Sequence, residues 1–158
     1  MSKSTLLDST DRQLLSLLQV DASAPTKSLA AKVGLSTTAC WNRIRQLEEN
    51  GVITGRVALV DPAKLGVGLT VFVSVCTREH SGEWLQSFAE KVAAMPEVVD
   101  FFRMAGDVDY MLRVLVPDMD AFDKFYKDLI TDTSLSDVTS RFAMESIKQT
   151  TAVPIPLD

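Results

Sequence analysis

Ser28-Leu-Ala-Ala-Lys-Val-Gly-Leu-Ser36, continued by Thr37-Thr-Ala-Cys-Trp-Asn-Arg-Ile-Arg-Gln-Leu-Glu-Glu-Asn-Gly-Val-Ile53, reads as two helices joined by a tight turn. Gly34 stands where the first of them must stop and the chain must turn sharply. Ser36 is placed to cap the second through its side-chain oxygen. Along that second helix Cys40, Ile44 and Leu47 fall at i, i+4 and i+7, an apolar seam. Thr37, Thr38, Asn42, Arg43, Arg45 and Gln46 are left to face outward. A polar helix face with two arginines, propped by a shorter helix, suits the major groove of duplex DNA. Spacing alone leaves an ordinary helical hairpin with a solvated face equally open.

Upstream, Asp11 to Gln19 places Leu14, Leu15, Leu17 and Leu18 on a broad apolar face, an earlier helix that Asp8 or Ser9 can cap. Asp21-Ala-Ser-Ala-Pro25 breaks it. Lys27 to Val33 and Thr37 to Asn50 complete a three-helix head, closed by Asn50-Gly51. Downstream the period changes. Val52 to Val60 alternates loosely as a strand, Asp61-Pro62 closes it, and Gly66-Val-Gly68 is a flexible joint. Leu69 to Thr77 is an apolar, β-branched strand. Glu83 to Met95 is a helix with Trp84, Phe88 and Val92 on one side. Val98 to Met104 and Tyr110 to Val116 are strands joined across Ala105-Gly-Asp-Val-Asp109. Met119 to Ile130 is a helix with Phe122, Phe125, Tyr126 and Leu129 together, and Val138 to Lys148 is a last strand. The order is βαββαβ, the ferredoxin-like arrangement. Both helices then cover one face of the sheet. The other face carries alternating apolar residues, which calls for a second subunit as cover. The fold class is α+β: a winged-type helix-turn-helix head over 1–52, a hinge strand and linker over 53–67, and a body over 68–158.

Composition limits the function. The chain has 158 residues, 46% of them hydrophobic, enough for a buried core. There is no apolar run of the length, about eighteen residues, that spans a membrane. Met1-Ser-Lys-Ser-Thr5 leads into amphipathic helix without a signal-peptide apolar region, so the cytoplasm is the simplest home. Cys40 and Cys76 fit no metal spacing and no disulfide framework. Residues 1–60 hold seven basic and five acidic residues, a net +2, and the remainder nine and sixteen, a net −7. A slightly basic head on an acidic body fits one nucleic-acid module attached to something else. The small excess means weak binding per head, so useful affinity needs several heads acting together.

Head, linking strand and βαββαβ body together resemble the Lrp/AsnC, or feast/famine, family of transcriptional regulators over nearly the whole chain. The resemblance is carried by Leu7-Asp-Ser-Thr-Asp-Arg-Gln-Leu-Leu15, Val33-Gly-Leu-Ser36 and Cys40-Trp-Asn-Arg-Ile-Arg-Gln-Leu-Glu48 in the head. Gly51-Val-Ile-Thr-Gly55 and Ala58-Leu-Val-Asp-Pro62 carry it in the hinge. Gly106-Asp-Val-Asp-Tyr110, Val116-Pro-Asp-Met119 and Met144-Glu-Ser-Ile-Lys-Gln-Thr150 carry it in the body. It implies a head that reads double-stranded DNA and a body that forms a homodimer, often an octamer, and binds a small amino-acid effector. Thr37 to Trp41, Arg103 to Gly106 and Ser140 to Lys148 are similar to a branch associated with cysteine response and detoxification. Ala39, where members commonly have proline, and Arg141, where that branch has serine, depart from the pattern. A bulky cation at Arg141 bears on ligand choice.

Within that frame Ser36, Thr37 and Thr38 sit at a helix N-terminus, where backbone N–H groups and short hydroxyls favour phosphate. Arg43 and Arg45 point about 200° apart, so one reads a base edge or phosphate while the other flanks the groove. Met104, Ala105, Gly106, Asp107, Asp109 and Tyr110 form the candidate effector loop. Gly with two Asp is also ordinary turn chemistry. Asp109, however, precedes an apolar strand, where an unpaired carboxylate is costly. Its carboxylate can accept from an amino acid's ammonium, while loop N–H groups near Gly106 hold the carboxylate. Thr139 and Ser140 at the start of the last strand are further candidates.

Catalysis finds no support. His80 is the only histidine, Ser81 and Asp109 lie far from it in sequence, and neither a nucleophile–base pair nor a metal cluster is evident. Cys40 and Cys76 read as packing residues. No cofactor is implied. The alternatives are a ferredoxin-like small-molecule-binding enzyme, since that fold hosts many chemistries, or an assembly module.

Overall fold

The computed structural model describes residues 7–131 and 133–156, leaving the Met1–Thr5 stretch read above outside the described residues. The chain forms two compact units, one spanning Met1–Ala58 with Lys148–Asp158 and the other Leu59–Ile147.

The first unit is helical: α1 (Ser9–Val20), α2 (Thr26–Lys32) and α3 (Thr37–Glu49). Asp8 caps α1 in a reciprocal box. Its carboxylate accepts from the Asp11 N–H and the Asp11 carboxylate accepts from its own N–H, satisfying donors that a helix start otherwise leaves unpaired. Between α2 and α3 the chain reverses at Gly34, whose φ of 70° costs an L-residue strain that glycine does not meet. Leu14, Leu18, Leu29, Ala30, Cys40 and Ile44 make one buried cluster, with Leu17, Val33, Leu35 and Ile53 packed against it. Burial pushes the Cys40 thiol up from its ordinary value, consistent with a packing role. Residues from Lys148 onward cluster with this helical unit. The Gln19 carboxamide pairs with both backbone groups of Val153, accepting from its N–H at 2.6 Å and donating to its carbonyl at 3.1 Å. Arg12 donates to the Pro156 carbonyl at 2.6 Å.

The second unit has the expected βαββαβ order: β1 (Leu69–Thr77), α4 (Gly82–Ala93), β2 (Val98–Arg103), β3 (Tyr110–Val116), α5 (Met119–Ile130) and β4 (Leu135–Phe142). The sheet runs β2-β3-β1-β4 and every pairing is antiparallel. Strand side chains alternate between faces. Val71, Val73, Val75, Leu112, Val114 and Val116 all point to the face that Phe88 and Val92 of α4 and Phe122, Phe125 and Leu129 of α5 cover.

Three expectations are corrected. No strand forms over 52–60. A strand needs a hydrogen-bonding neighbour, and Val57, Leu59 and Val60 stand exposed without one, so the winged-type head expected from sequence has no strand over these residues. The last strand starts at Leu135 and ends at Phe142, not at Lys148. Ala143 donates to the Thr70 carbonyl, and beyond that point β1 offers only Leu69. The open sheet face is mixed rather than apolar. One row across it reads Asp100, Arg113, Phe72, Arg141 and the next Phe102, Met111, Ser74, Thr139. Arg113 is bonded to Asp100, and Arg141 donates to the Ser74 hydroxyl at 2.8 Å.

Candidate nucleic-acid interface and ligand loop

On α3, Cys40, Ile44 and Leu47 are buried and fix which side faces out. At about 100° per residue, Thr38, Asn42, Arg45, Gln46 and Glu49 form the ridge opposite that seam, and all five are exposed. Ser36 and Thr37 are exposed at its N-terminus. The Ser36 hydroxyl accepts from the Ala39 N–H at 3.1 Å, so it is committed as a cap.

Arg43 does not join the ridge, which corrects the expectation that it faces outward. Its Nη1 donates to Asp8 at 2.6 Å and to Asp11 at 2.8 Å, bracing α3 against the cap of α1. The bond from the Asp11 N–H, and then that from the Arg43 guanidinium, hold the Asp8 carboxyl below its ordinary range. The two carboxylates in turn raise the Arg43 guanidinium. Arg45 stands on the ridge. Its Nε donates to Glu49 at 2.7 Å, and its guanidinium carbon lies 5.4 Å from the centroid of the Trp41 ring. Trp41 is 50% exposed. Position 41 is not among the residues expected to face DNA. The signal was present: the seam of α3 is filled without it, so its indole has no place in the core. Trp41, Arg45, Glu48 and Arg56 line part of one depression of the head, across which Arg56 donates to Glu48 at 2.8 Å.

The candidate ligand loop joins β2 to β3. Met104, Ala105, Gly106 and Asp107 are exposed, and Gly106 has φ 139°, a conformation other residues rarely adopt. Asp109 is half-buried and knitted into the sheet end. Its N–H donates to the Val75 carbonyl at 3.0 Å, and its carbonyl accepts from the Met104 N–H at 2.8 Å. Its Oδ2 accepts from the Thr77 N–H at 2.8 Å. One carboxylate oxygen therefore completes the end of β1. The Cys76 thiol reaches the Asp107 carbonyl at 3.5 Å, which places Cys76 beside the loop as well as in the sheet.

Two further candidates part company with this loop. The Tyr110 ring is buried among Trp84, Phe88 and Phe101, within 5.3 to 6.2 Å of each, so it is a core residue. Thr139 and Ser140 are successive strand residues on opposite faces. Thr139 lies opposite Ser74 and donates to Asp137 at 2.9 Å, whereas Ser140 pairs with Val73 on the helix-covered side. Only Thr139 shares the open face with Cys76 and Asp137.

The head, from residue 7 to 48, matches the AsnC-type helix-turn-helix domain, and residues 70–153 match the Lrp/AsnC ligand binding domain. The chain is 52% identical over 151 residues to the DNA-binding transcriptional activator DecR of Escherichia coli K12, covering 95% of this chain and 99% of that one. The crystal structure of an AsnC family transcriptional regulator from Agrobacterium tumefaciens superposes with a TM-score of 0.91 at 55% identity, covering 94% and 97% of the two chains. A Neisseria meningitidis transcriptional regulator solved in complex with L-Met gives 0.89 at 34% identity, covering 94% and 96%. The fold and these similarities define a DNA-binding transcriptional regulator with a ligand-binding body. The chain belongs to the Lrp/AsnC family. Among the described residues no helix is long and apolar enough to cross a membrane.

Proposed function

We propose that this regulator reads a specific duplex through the ridge of α3, with Thr38, Asn42, Arg45 and Gln46 towards base edges and the Ser36–Thr37 helix start towards phosphate. The observation that carries this is the disposition of α3: its seam is buried, its opposite ridge is polar and exposed, and Arg45 stands on that ridge. Arg43 supports the helix instead of touching DNA. Its charge is met by Asp8 and Asp11, that of Arg45 by Glu49 and that of Arg56 by Glu48, so one head carries little excess positive field. Weak single heads are what an assembly of several compensates. A homodimer, extending to an octamer, formed through the mixed open face of the sheet supplies that assembly.

The effector is a small amino acid held at the Met104–Asp109 loop beside Thr139, with the second Asp109 oxygen accepting from its ammonium. The L-Met complex of the Neisseria relative supports that chemical class. In this division 1–52 binds DNA, 53–67 is the hinge, and 68–158 senses and assembles, all in the cytoplasm. A gel shift on the DNA upstream of the chain's own gene, with and without a panel of amino acids, tests the whole reading. Arg45→Ala is expected to weaken specific binding by about 1–3 kcal/mol. Unchanged affinity and footprint for Arg45→Ala would remove α3's ridge from recognition.

A further inference from the structure

We propose that Trp41 is the positioning residue for Arg45, holding its guanidinium as a preset reader of one guanine in each half-site of the target duplex. This rests on the reading of the α3 ridge given above. Trp41 lies one turn before Arg45 and presents its half-exposed indole to the cation, with the guanidinium carbon 5.4 Å from the ring centroid. That is within the range, about 6 Å, at which a ring face attracts a cation. One turn after Arg45, Glu49 accepts from its Nε at 2.7 Å. The side chain is therefore held from both sides by residues of its own helix. Its Nη1 and Nη2 have no hydrogen-bond partner among the described residues, and these two donors form the fork that matches O6 and N7 of guanine.

The two supports do different things. An arginine free to rotate loses much side-chain freedom when it docks, and a fork held in place beforehand loses less. The indole supplies that restraint without occupying a donor. Glu49 adds a negative charge beside the cation. That charge repels a phosphate oxygen more strongly than it repels the neutral acceptors of a base edge, so the pair favours base reading over backbone contact. The apolar seam of α3 is complete with Cys40, Ile44 and Leu47, so the core does not require an aromatic at position 41.

The test is selection from a randomised duplex pool with the full chain, comparing wild type, Arg45→Ala, Trp41→Leu, Trp41→Phe and the Arg45→Ala/Trp41→Leu double variant. Leucine keeps apolar bulk and helix propensity but has no ring face, whereas phenylalanine keeps one. Wild type is expected to enrich a two-fold-symmetric consensus. Trp41→Leu and Arg45→Ala should lose preference at the same single position of each half-site. Trp41→Leu should bind the wild-type consensus about 10-fold more weakly, and Trp41→Phe should recover most of that. The double variant should be no worse than Arg45→Ala alone, because the two residues act as one unit. Affinity for a scrambled duplex, and its slope against salt, should stay unchanged in Trp41→Leu, since no phosphate contact is removed. Loss at a position different from that of Arg45→Ala would make Trp41 a direct reader and overturn the proposal. Equal loss on consensus and scrambled duplex would reduce Trp41 to a structural residue. A wild-type pool with no consensus would overturn the reading of α3 itself. A wild-type consensus unchanged by Trp41→Leu would overturn only the positioning role.

Discussion

Replacing Arg43 with alanine removes one nitrogen that serves two carboxylates, at 2.6 Å to Asp8 and 2.8 Å to Asp11. Exposed ion pairs contribute about 0.2–1 kcal/mol each, because water screens them and long side chains lose freedom in making them. The Asp8 side chain is half-exposed and belongs near the low end. The Asp11 side chain is only 17% exposed, so the loss of its cationic partner costs more. Together Arg43→Ala should destabilise the head by about 1–2 kcal/mol. For a unit of this size that lowers the midpoint of thermal unfolding by roughly 4–15 °C. Helical circular dichroism during a melt reads this directly, and the cycle with Asp11→Asn isolates the pair. The pH dependence follows from the sign of the Asp8 shift. Its folded carboxyl titrates below the ordinary range, so the bridge contributes fully above about pH 4 and is lost as pH falls through the depressed value. The gap between wild type and Arg43→Ala should therefore close in acid. Well below its midpoint, the variant should keep operator affinity within about threefold, far from the decades lost with a base contact. An unchanged midpoint together with abolished operator binding would refute the brace and return Arg43 to the DNA.

Other perturbations separate the remaining roles. Asp109→Asn keeps an oxygen for the Thr77 N–H but removes the charge, so amino-acid binding measured by titration calorimetry should weaken about tenfold or more while basal DNA binding persists. Equal affinity in wild type and variant would remove Asp109 from the ligand site. Phe72→Arg sets three cations in a row, since Phe72 lies between Arg113 and Arg141 on the open face. Light scattering should then report a smaller assembly than wild type, and an unchanged mass would show that this face is not the interface.

The body was legible because its signals are local and redundant. Leu69–Thr77 is a run of largely apolar and β-branched chain, and Met119–Ile130 repeats aromatics at helical spacing. Where legibility failed, the deciding information lay in another segment. Nothing in Val52–Val60 says whether a partner strand exists, and nothing in Ala143–Lys148 says that β1 is about to run out. The last strand is expected from Val138, yet β4 begins at Leu135, where a bulge at Cys76–Thr77 lets β1 pair with it. The candidate sites divide the same way. The exposed ridge of α3 follows from periodicity. The capture of Arg43 by two aspartates some thirty residues earlier does not, and neither does the burial of Tyr110, which follows from three rings on α4 and β2.

The pairing of Gln19 with Val153 and of Arg12 with Pro156 spans 134 and 144 positions of the chain. During synthesis α1 thus precedes the residues that these side chains meet by the same interval. Chain synthesis proceeds at about 5–20 residues per second, so that interval lasts roughly seven to thirty seconds. Throughout it α1 depends on the three-helix core alone. A chain truncated ahead of Lys148 lacks these bonds, and its head is correspondingly less well secured. Residues 153 to 156 in this way bear on α1, the helix whose start Arg43 ties to α3.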